Sequence, residues 1–480
     1  MEAVKLAGLQ PDAVFAYFEK ICSIPHGSGN TKQISDFLVS FAKEHDIRYV
    51  QDELNNVILF GEASEGYEDH PPVILQGHMD MVCEKDADCC LDMAKDGLNI
   101  AHNGQFVYAN GTTLGADNGI AVAYALAILE DKTIPHPALE IIITVDEETG
   151  MFGAAGIDLS SLKGKIMLNL DSDAEGIFTV SCAGGCRASI EIPFQRRPVY
   201  GPCVRLVVDG LKSGHSGVEI DKNGANANKV MGELLSRVEK LMPLCITKLS
   251  GGDKDNAIPR TCEVTLVAMG SYIDRINGVC EQLQKEIREQ YDEPEAVVFG
   301  EDVDALGGNA LSTGDSSRVI ALLCAAPNGV QTMSEDIPGL VQTSLNLGVV
   351  RLDEKFRMTF AVRSSVGKEK KELLARLFEL ASFHDAEYSA VGDYPAWEYR
   401  KDSALRETMI GVYEAKYGKS PEVVAIHAGL ECGLFCEKIP NLDCVAMGPT
   451  AYDIHTSRER LDIASTERTY RFILDVLKAL

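Results

Sequence analysis

Four short runs of this chain are apolar on nearly every residue rather than on alternate ones: NVILF (56–60), PVILQG (72–77), EIIITVD (140–146) and KIMLNLD (165–171). A strand can be apolar on both sides only where both faces of its sheet are covered, and that is the pattern of a largely parallel sheet between helical layers. The helix expected over NGIAVAYALAILED (118–131), rich in Ala and Leu, suits such a layer. Amphipathic helices are also expected at 11–22 and 31–45, the second with Asn30 or Thr31 as its N-cap. These elements define an α/β fold class with a mostly parallel sheet flanked by helices.

The pattern changes near Gly184–Gly185. From about Arg187 to about Ala390, strands such as RASIEIPF, CVRLVVDGL, TCEVTLVAMG and KFRMTFAVRSS alternate polar and apolar residues. Such strands belong to an α+β domain with helices on one sheet face. DNAIPRTCEVTLVA (255–268) resembles LNLGVVRLDEKFRMTFAV (345–362), and helices expected near 225–241 and 315–325, then 275–290 and 367–383, would be counterparts. An internal duplication of the insert is one reading of this likeness. After about Tyr394 the first style returns, with a helix (402–417), a strand (422–429), a short helix from near Glu431, the strand DCVAMG and a final helix (465–479). The expected organisation is one domain from 1–186 and 392–480, with 187–391 inserted. A chain of 480 residues exceeds one ordinary core.

Composition narrows the function classes. A formal net charge of −27 argues against nucleic acid and anionic membranes as partners. No apolar run reaches the ~18–20 residues of a membrane span. The opening MEAVKLAGLQPDAVF lacks the basic and apolar blocks of a secretory signal, so a cytoplasmic location is expected. The 14 cysteines are scattered, and several, such as Cys22 and Cys324, sit in apolar runs. Neither CAGGC (182–186) nor the adjacent Cys89 and Cys90 has a second pair at zinc-finger spacing, so a structural zinc is not expected.

The chemistry concentrates where the apolar strands end. GHMD (77–80) carries His78 and Asp80, GADNG (115–119) carries Asp117, and VDEETG (145–150) carries Glu147 and Glu148. LNLDSD adds Asp171, and AYDIHTSRERLDI adds His455. Singly, each has an ordinary explanation: Asp117 as a helix N-cap, or the paired glutamates as a solvated loop. Together, carboxylates and imidazoles at strand ends suit a divalent cation of the zinc, manganese or cobalt kind. Two metals sharing a bridging carboxylate need about this many ligands.

GHMDMV, GADNGIA, DEETG, LNLDSD and IHTSRE, in this order, resemble the dinuclear zinc aminopeptidase/aminoacylase superfamily, and within it the aminoacyl-histidine dipeptidase (Xaa-His, carnosine-hydrolysing) branch. The resemblance covers essentially the whole chain. It implies a zinc-exopeptidase-type catalytic domain made of 1–186 and 392–480, and a lid or substrate-binding domain at 187–391. It implies two divalent metal ions, zinc first, with manganese or cobalt open. His78 and Asp171 would bind one, Glu148 and His455 the other, and Asp117 would bridge them. Asp80 would orient His78, and Glu147 would be the general base. Sequence alone leaves Asp171 against Asp173 unsettled; Asp171 ends the apolar strand and fits better.

In the insert, SGHSGVEID (213–221), NAIPR (256–260) and FAVRSS (360–365) resemble lid segments of the same superfamily. His215 would then contact the developing oxyanion or the substrate. Asn256 and Arg363 would bind substrate, Arg363 as a bidentate clamp on its carboxylate. In HAGLECG (427–433), Gly429 would let backbone approach the ligand; His427 and Glu431 are weaker candidates. The expected activity is hydrolysis of small dipeptides, Xaa-His and β-alanyl-histidine included. The alternatives are an aminoacylase, tripeptidase or carboxypeptidase on the same scaffold, or a metal-binding protein without catalysis. A homodimer is open.

Overall fold

The computed structural model describes residues 5–268 and 272–480, with backbone alone at 305–306. The chain divides into two units. One comprises Met1–Ser181, Tyr399–Ala425 and Leu430–Leu480; the other comprises Cys182–Glu398 and Ile426–Gly429.

The first unit is built on an eight-stranded sheet. Its centre is a parallel run of four neighbours in the order Leu139–Thr144, Val73–His78, Ile166–Asn169 and Asp443–Ala446. The flanks turn antiparallel, through Val57–Gly61 and Arg48–Gln51 on one side and Ile177–Cys182 on the other. The sheet is thus mixed, and its parallel core is where the sequence is apolar without alternation. Every residue of Val73–His78 and of Leu139–Thr144 is buried, whereas the edge strand Arg48–Gln51 has no buried residue.

The helix Ala116–Glu130 packs against this core with 13 of its 15 residues buried, so it has no polar face. Its start is irregular: Asp117 and Asn118 leave helical φ/ψ. The helix approaches Val73–His78 so closely that a Cβ at Gly77 would lie 2.4 Å from Asn118 Oδ1 and 2.7 Å from Ala121 Cβ. Only glycine permits that approach. A small sheet that the sequence did not announce pairs Ala451–Tyr452, Arg460–Asp462, Phe106–Ala109 and Ile100–His102. It anchors both ends of the loop that carries His455.

The second unit has one long sheet, ordered Val297–Ala310, Arg197–Asp209, Cys262–Val267, Cys245–Gly251, Val341–Leu352, Lys355–Ser364, Gly184–Pro193 and Glu387–Tyr394. The order conceals a repeat. Numbering the strands of each half by sequence, the first four read 4-1-3-2 and the last four read 2-3-1-4. Along this order each half is strand, helix, two strands, helix, strand, and the second carries one more strand, Gly329–Met333, paired with Val341–Leu352; the first holds helices Ala227–Glu239 and Ile273–Gln290, the second Thr313–Ala325 and Gly367–Phe383. The halves are nested, because the first lies in the chain between the opening strand of the second and its first helix. The strand expected over 261–270 is Cys262–Val267; Met269 and Gly270 lie outside the described residues, as do the first four residues of the opening segment.

The seam between the halves is short in backbone pairing, with Ser250 opposite Arg351 and Gly251 opposite Val350. Two arginines reinforce it. Arg196 donates to Thr247 O (2.8 Å) and Asn309 O (3.1 Å) of one half, and to Leu352 O (3.1 Å) and Asp353 O (2.9 Å) of the other. Arg351 donates to Gly251 O (2.9 Å) and to Gly252 O.

Candidate metal centre

Three neighbouring parallel strands end at the same edge, so the residues after them become neighbours whatever their distance in sequence. His78 ends the middle strand and lies in register with Thr144, two residues before Asp146 and three before Glu147. Asp171 follows Ile166–Asn169 on the other side. Asn118 ties the helix start to both: its Oδ1 accepts from His78 N (3.1 Å), and its Nδ2 donates to Leu170 O (2.9 Å). Asp117 is thereby carried to the strand ends.

The resulting geometry is two imidazoles facing one carboxylate. His78 Nε2 is 3.1 Å from Asp117 Oδ1 and 3.5 Å from Asp171 Oδ1. His455 Nε2 is 3.2 Å from Asp117 Oδ2 and 3.0 Å from Glu148 Oε1. Donor atoms of His78, Asp117 and Glu148 all lie within 4.8 Å of one another. Asp173 contributes its main-chain carbonyl, which accepts from Ala451 N at 3.0 Å; Asp171 is the carboxylate beside His78.

The donor set is one that calls for cations. His78 Nδ1 is 3.0 Å from the Asp80 carbonyl oxygen, which aims Nε2 at Asp117 and Asp171, and against burial these carboxylates raise the imidazole well above its ordinary range. Glu148 Oε1 is buried, with His455 Nε2 at 3.0 Å. Carboxylates gathered this closely repel one another unless positive charge lies between them, which here comes from the two imidazoles and would come from bound cations. The electrostatics agree. His455 is pushed up to about 10 by its contacts with Asp117 and Glu148. Asp117, although burial opposes ionisation, is held well below the carboxylate range by His455 and His78. Burial, then Asp117 and Glu148, raise Asp171 to about 6 against the pull of His78.

Glu147 sits in the same cluster without an imidazole of its own. Burial, followed by Asp171, Glu431 and Glu148, pushes it up to about 9, with His78 opposing. A bound divalent cation would draw it down by the same electrostatics. Asp80 is fully buried and serves both neighbours: one oxygen accepts from Glu147 N (3.1 Å) and the other from Ser28 Oγ (2.7 Å), while the carboxylate stands 3.5 Å from His78 Nδ1. The closer contact to His78 is thus the Asp80 carbonyl.

Beneath the centre lies a buried carboxyl, Glu431. Glu431 Oε2 accepts from Gln76 Nε2 (2.6 Å) and Thr144 Oγ1 (2.7 Å), linking the strands that carry His78 and Glu147. Burial raises its carboxyl to about 8.

The remaining candidates belong to the second unit. The His215 and Asn256 loops pair through Ser216 N to Asn256 O (2.8 Å) and Ile258 N to Gly214 O (2.9 Å). Arg363 Nη2 stands 3.4 Å from His215 Nε2, and Arg363 Nε is buried without a partner. His427 joins this group: its Nε2 is 2.7 Å from Ser344 Oγ, and Arg363 lies opposite Ser344 in the sheet. Burial, then Arg363, lower His427 to about 4, and the same causes lower His215. One permanent cation, Arg363, thus stands beside two imidazoles held towards their neutral form. At Gly429 a Cβ would lie 2.8 Å from the Tyr394 ring, so ring packing accounts for this glycine.

Comparison with known proteins decides the family. The model of Peptidase family M20/M25/M40 matches residues 74–479. The chain belongs to this family. It is a peptide-bond hydrolase of the metallopeptidase class. It is 35% identical over 478 residues to the cytosol non-specific dipeptidase of Escherichia coli K12, covering 99% of each chain. It superposes on the crystal structure of aminoacylhistidine dipeptidase from Vibrio alginolyticus with a TM-score of 0.93 and 36% identity, covering 99% of this chain and 98% of that one. Aminopeptidase PepT from Bacillus cereus, at a TM-score of 0.55 and 16% identity over 98% and 99% of the two chains, shares the fold alone. Among the described residues, no helix is long and apolar enough to cross a membrane.

Proposed function

We propose that this metallopeptidase is a cytoplasmic dipeptidase that uses two divalent metal ions and accepts Xaa-His dipeptides, β-alanyl-histidine among them. The observation that carries the reading is the sharing of Asp117: one oxygen faces His78 and the other faces His455. His78 and Asp171 would hold one ion, His455 and Glu148 the other, with Asp117 between. Two such ions supply Lewis acidity for the scissile carbonyl and bring the pKa of water towards ~7.

The chain's own groups do the rest. Glu147, held by the bond from its N–H to Asp80 Oδ1, takes a proton from the attacking water and passes it to the leaving amine. His78 is aimed by its contact with the Asp80 carbonyl. Arg363 takes the substrate's C-terminal carboxylate, with His215 and Asn256 as further contacts of the peptide; Gly429 serves the same region through Tyr394. A carboxylate clamp of this kind selects short peptides over internal bonds of long ones.

The two relatives differ in the breadth their names state: one is a non-specific dipeptidase, the other an aminoacylhistidine dipeptidase. A panel of Xaa-His, Xaa-Ala and Xaa-Leu dipeptides, tripeptides and N-acyl amino acids, assayed with zinc, manganese and cobalt alongside metal analysis, tests the reading. Dipeptide turnover with two metals per chain is expected, His at the second position being the best substrate. Turnover confined to N-acyl amino acids or tripeptides would refute it.

A further inference from the structure

The loop that carries Asp117 is held by a carboxylate that belongs to the loop carrying His455. Glu459 is 2% exposed, and its two oxygens accept from four successive backbone N–H groups. Oε2 takes Leu114 N (2.8 Å) and Gly115 N (3.1 Å); Oε1 takes Ala116 N (2.8 Å) and Asp117 N (3.4 Å). The four donors point one way because Gly115 adopts φ +68° and Asp117 has left the helical region. They form a small anion-binding concavity, and the chain fills it with its own side chain.

Glu459 stands four residues after His455 in a constrained loop. Glu459 N donates to Thr456 O (3.1 Å), Thr456 Oγ1 donates to Asp453 O (2.7 Å), and His455 itself sits at φ +60°. Asp453 and Arg460 form an ion pair across the loop, and Arg460 begins the strand that pairs with Phe106–Ala109. The latch therefore joins two segments more than 330 residues apart, each of which presents one group to the same place: Asp117 from one, His455 from the other.

We infer that Glu459 is a positioning residue for the two-metal centre, fixing the separation between Asp117 and His455 so that both imidazoles meet the shared carboxylate. The inference rests on the reading of Asp117 as the bridging group. It assigns Glu459 no contact with substrate or metal; it acts through the backbone that carries Asp117. A buried carboxylate on four N–H groups is also worth stability on its own, so the test has to separate the two effects. Glu293 supplies the comparison. It is 1% exposed, lies in the second unit, and accepts from Lys212 N (2.8 Å) and Ala225 N (3.2 Å).

The experiment compares the parent, Glu459→Gln, Glu459→Asp and Glu293→Gln. In Glu459→Gln one anionic acceptor becomes an NH2 group that cannot accept from an N–H. Zinc affinity is read by competition with a chromogenic chelator, and site geometry by the visible absorption of the cobalt-loaded protein. Glu459→Gln should weaken zinc binding on the order of 10–100-fold, the usual effect of losing a group that orients a metal ligand, and should shift the cobalt spectrum. Glu459→Asp, which keeps the charge, should recover part of the affinity. Glu293→Gln should lower the melting temperature and leave both readouts at parental values. Parental zinc affinity and an unchanged cobalt spectrum in Glu459→Gln would overturn the inference. If that variant does not fold, Glu459→Asp is decisive, and parental affinity and spectrum there overturn it equally. A parent that fails to bind two metal ions would instead refute the underlying reading of the centre.

Discussion

Replacing Gly77 by alanine is the smallest change that should disturb the centre without touching any of its chemical groups. The new Cβ would stand 2.4 Å from Asn118 Oδ1 and 2.7 Å from Ala121 Cβ. Ordinary carbon contacts lie near 3.5–4.0 Å, so strand and helix must part by about 1 Å. Neither neighbour retreats cheaply. Ala121 Cβ is fixed to a helix buried along nearly its whole length, and Asn118 Oδ1 is held by His78 N. Overpacking of this kind costs about 1–3 kcal/mol, and losing the Asn118–His78 bond adds about 1 kcal/mol. Gly77→Ala should therefore cost about 2–4 kcal/mol in urea denaturation. It should also lower kcat, because a misplacement of about 1 Å at a reacting centre is worth ~10²-fold. Gly278 is the control: it lies in the helix Ile273–Gln290 with nothing within 4 Å of its Cβ position. Gly278→Ala should stabilise by about 0.5–1 kcal/mol. A Gly77→Ala protein within about 0.5 kcal/mol of the parent and with parental kcat would refute the claim that this close packing aligns Asp117 with His78.

Other outcomes follow from the same geometry. Glu147→Gln should keep two metal ions per chain and lose about 10²–10⁴-fold in kcat; metal analysis paired with single-turnover kinetics would expose a mistaken assignment if turnover survives. Arg363→Lys keeps the charge and loses the planar fork, so KM should rise on the order of 10-fold or more with metal content unchanged. His427 gives a pH signature. Its folded pKa of about 4 lies below the ordinary 6.5, so between these values the unfolded chain binds the extra proton. That contribution is fully present above pH 6.5 and is lost as the pH falls towards 4, amounting to about 3 kcal/mol. Denaturation of metal-free His427→Gln should show a correspondingly flatter acid limb; identical slopes for parent and variant would remove His427 from the account.

How much was legible in the sequence depended on whether the signal was local. The strands 56–60, 72–77, 140–146 and 165–171 announce themselves because an unbroken apolar run has few other homes, and each is found within a residue or two at either end. The carboxylates and His78 at their ends are visible for the same reason. The repeat in the second unit was readable as a faint likeness because each half must solve the same packing problem with the same strand order. What escaped depends on pairings with no local trace. Nothing near Gln76 says that its partner is Glu431, and nothing near Ser344 points to His427. HAGLECG hid a second difficulty: Ile426–Gly429 belongs to one unit and Leu430 onward to the other, so His427 and Glu431, four residues apart, serve different structures. The edge strand Arg48–Gln51 and the small sheet beside His455 were missed because strands of two to four residues carry too little periodicity, and the antiparallel direction of Val57–Gly61 leaves no trace in its own residues.

The nesting of the two halves of the second unit sets an order of assembly. The half from Arg197 to Ala310 is continuous, and each of its strands pairs within it, so it can close as soon as it leaves the ribosome. Gly184–Pro193, made earlier, cannot pair until Lys355–Ser364 and Glu387–Tyr394 exist, more than 160 residues later. Until then it is an open strand waiting on synthesis, and its loop closure is the entropically expensive event of this unit. The half whose first strand is made earliest is thus finished last, after the half nested inside it has been made.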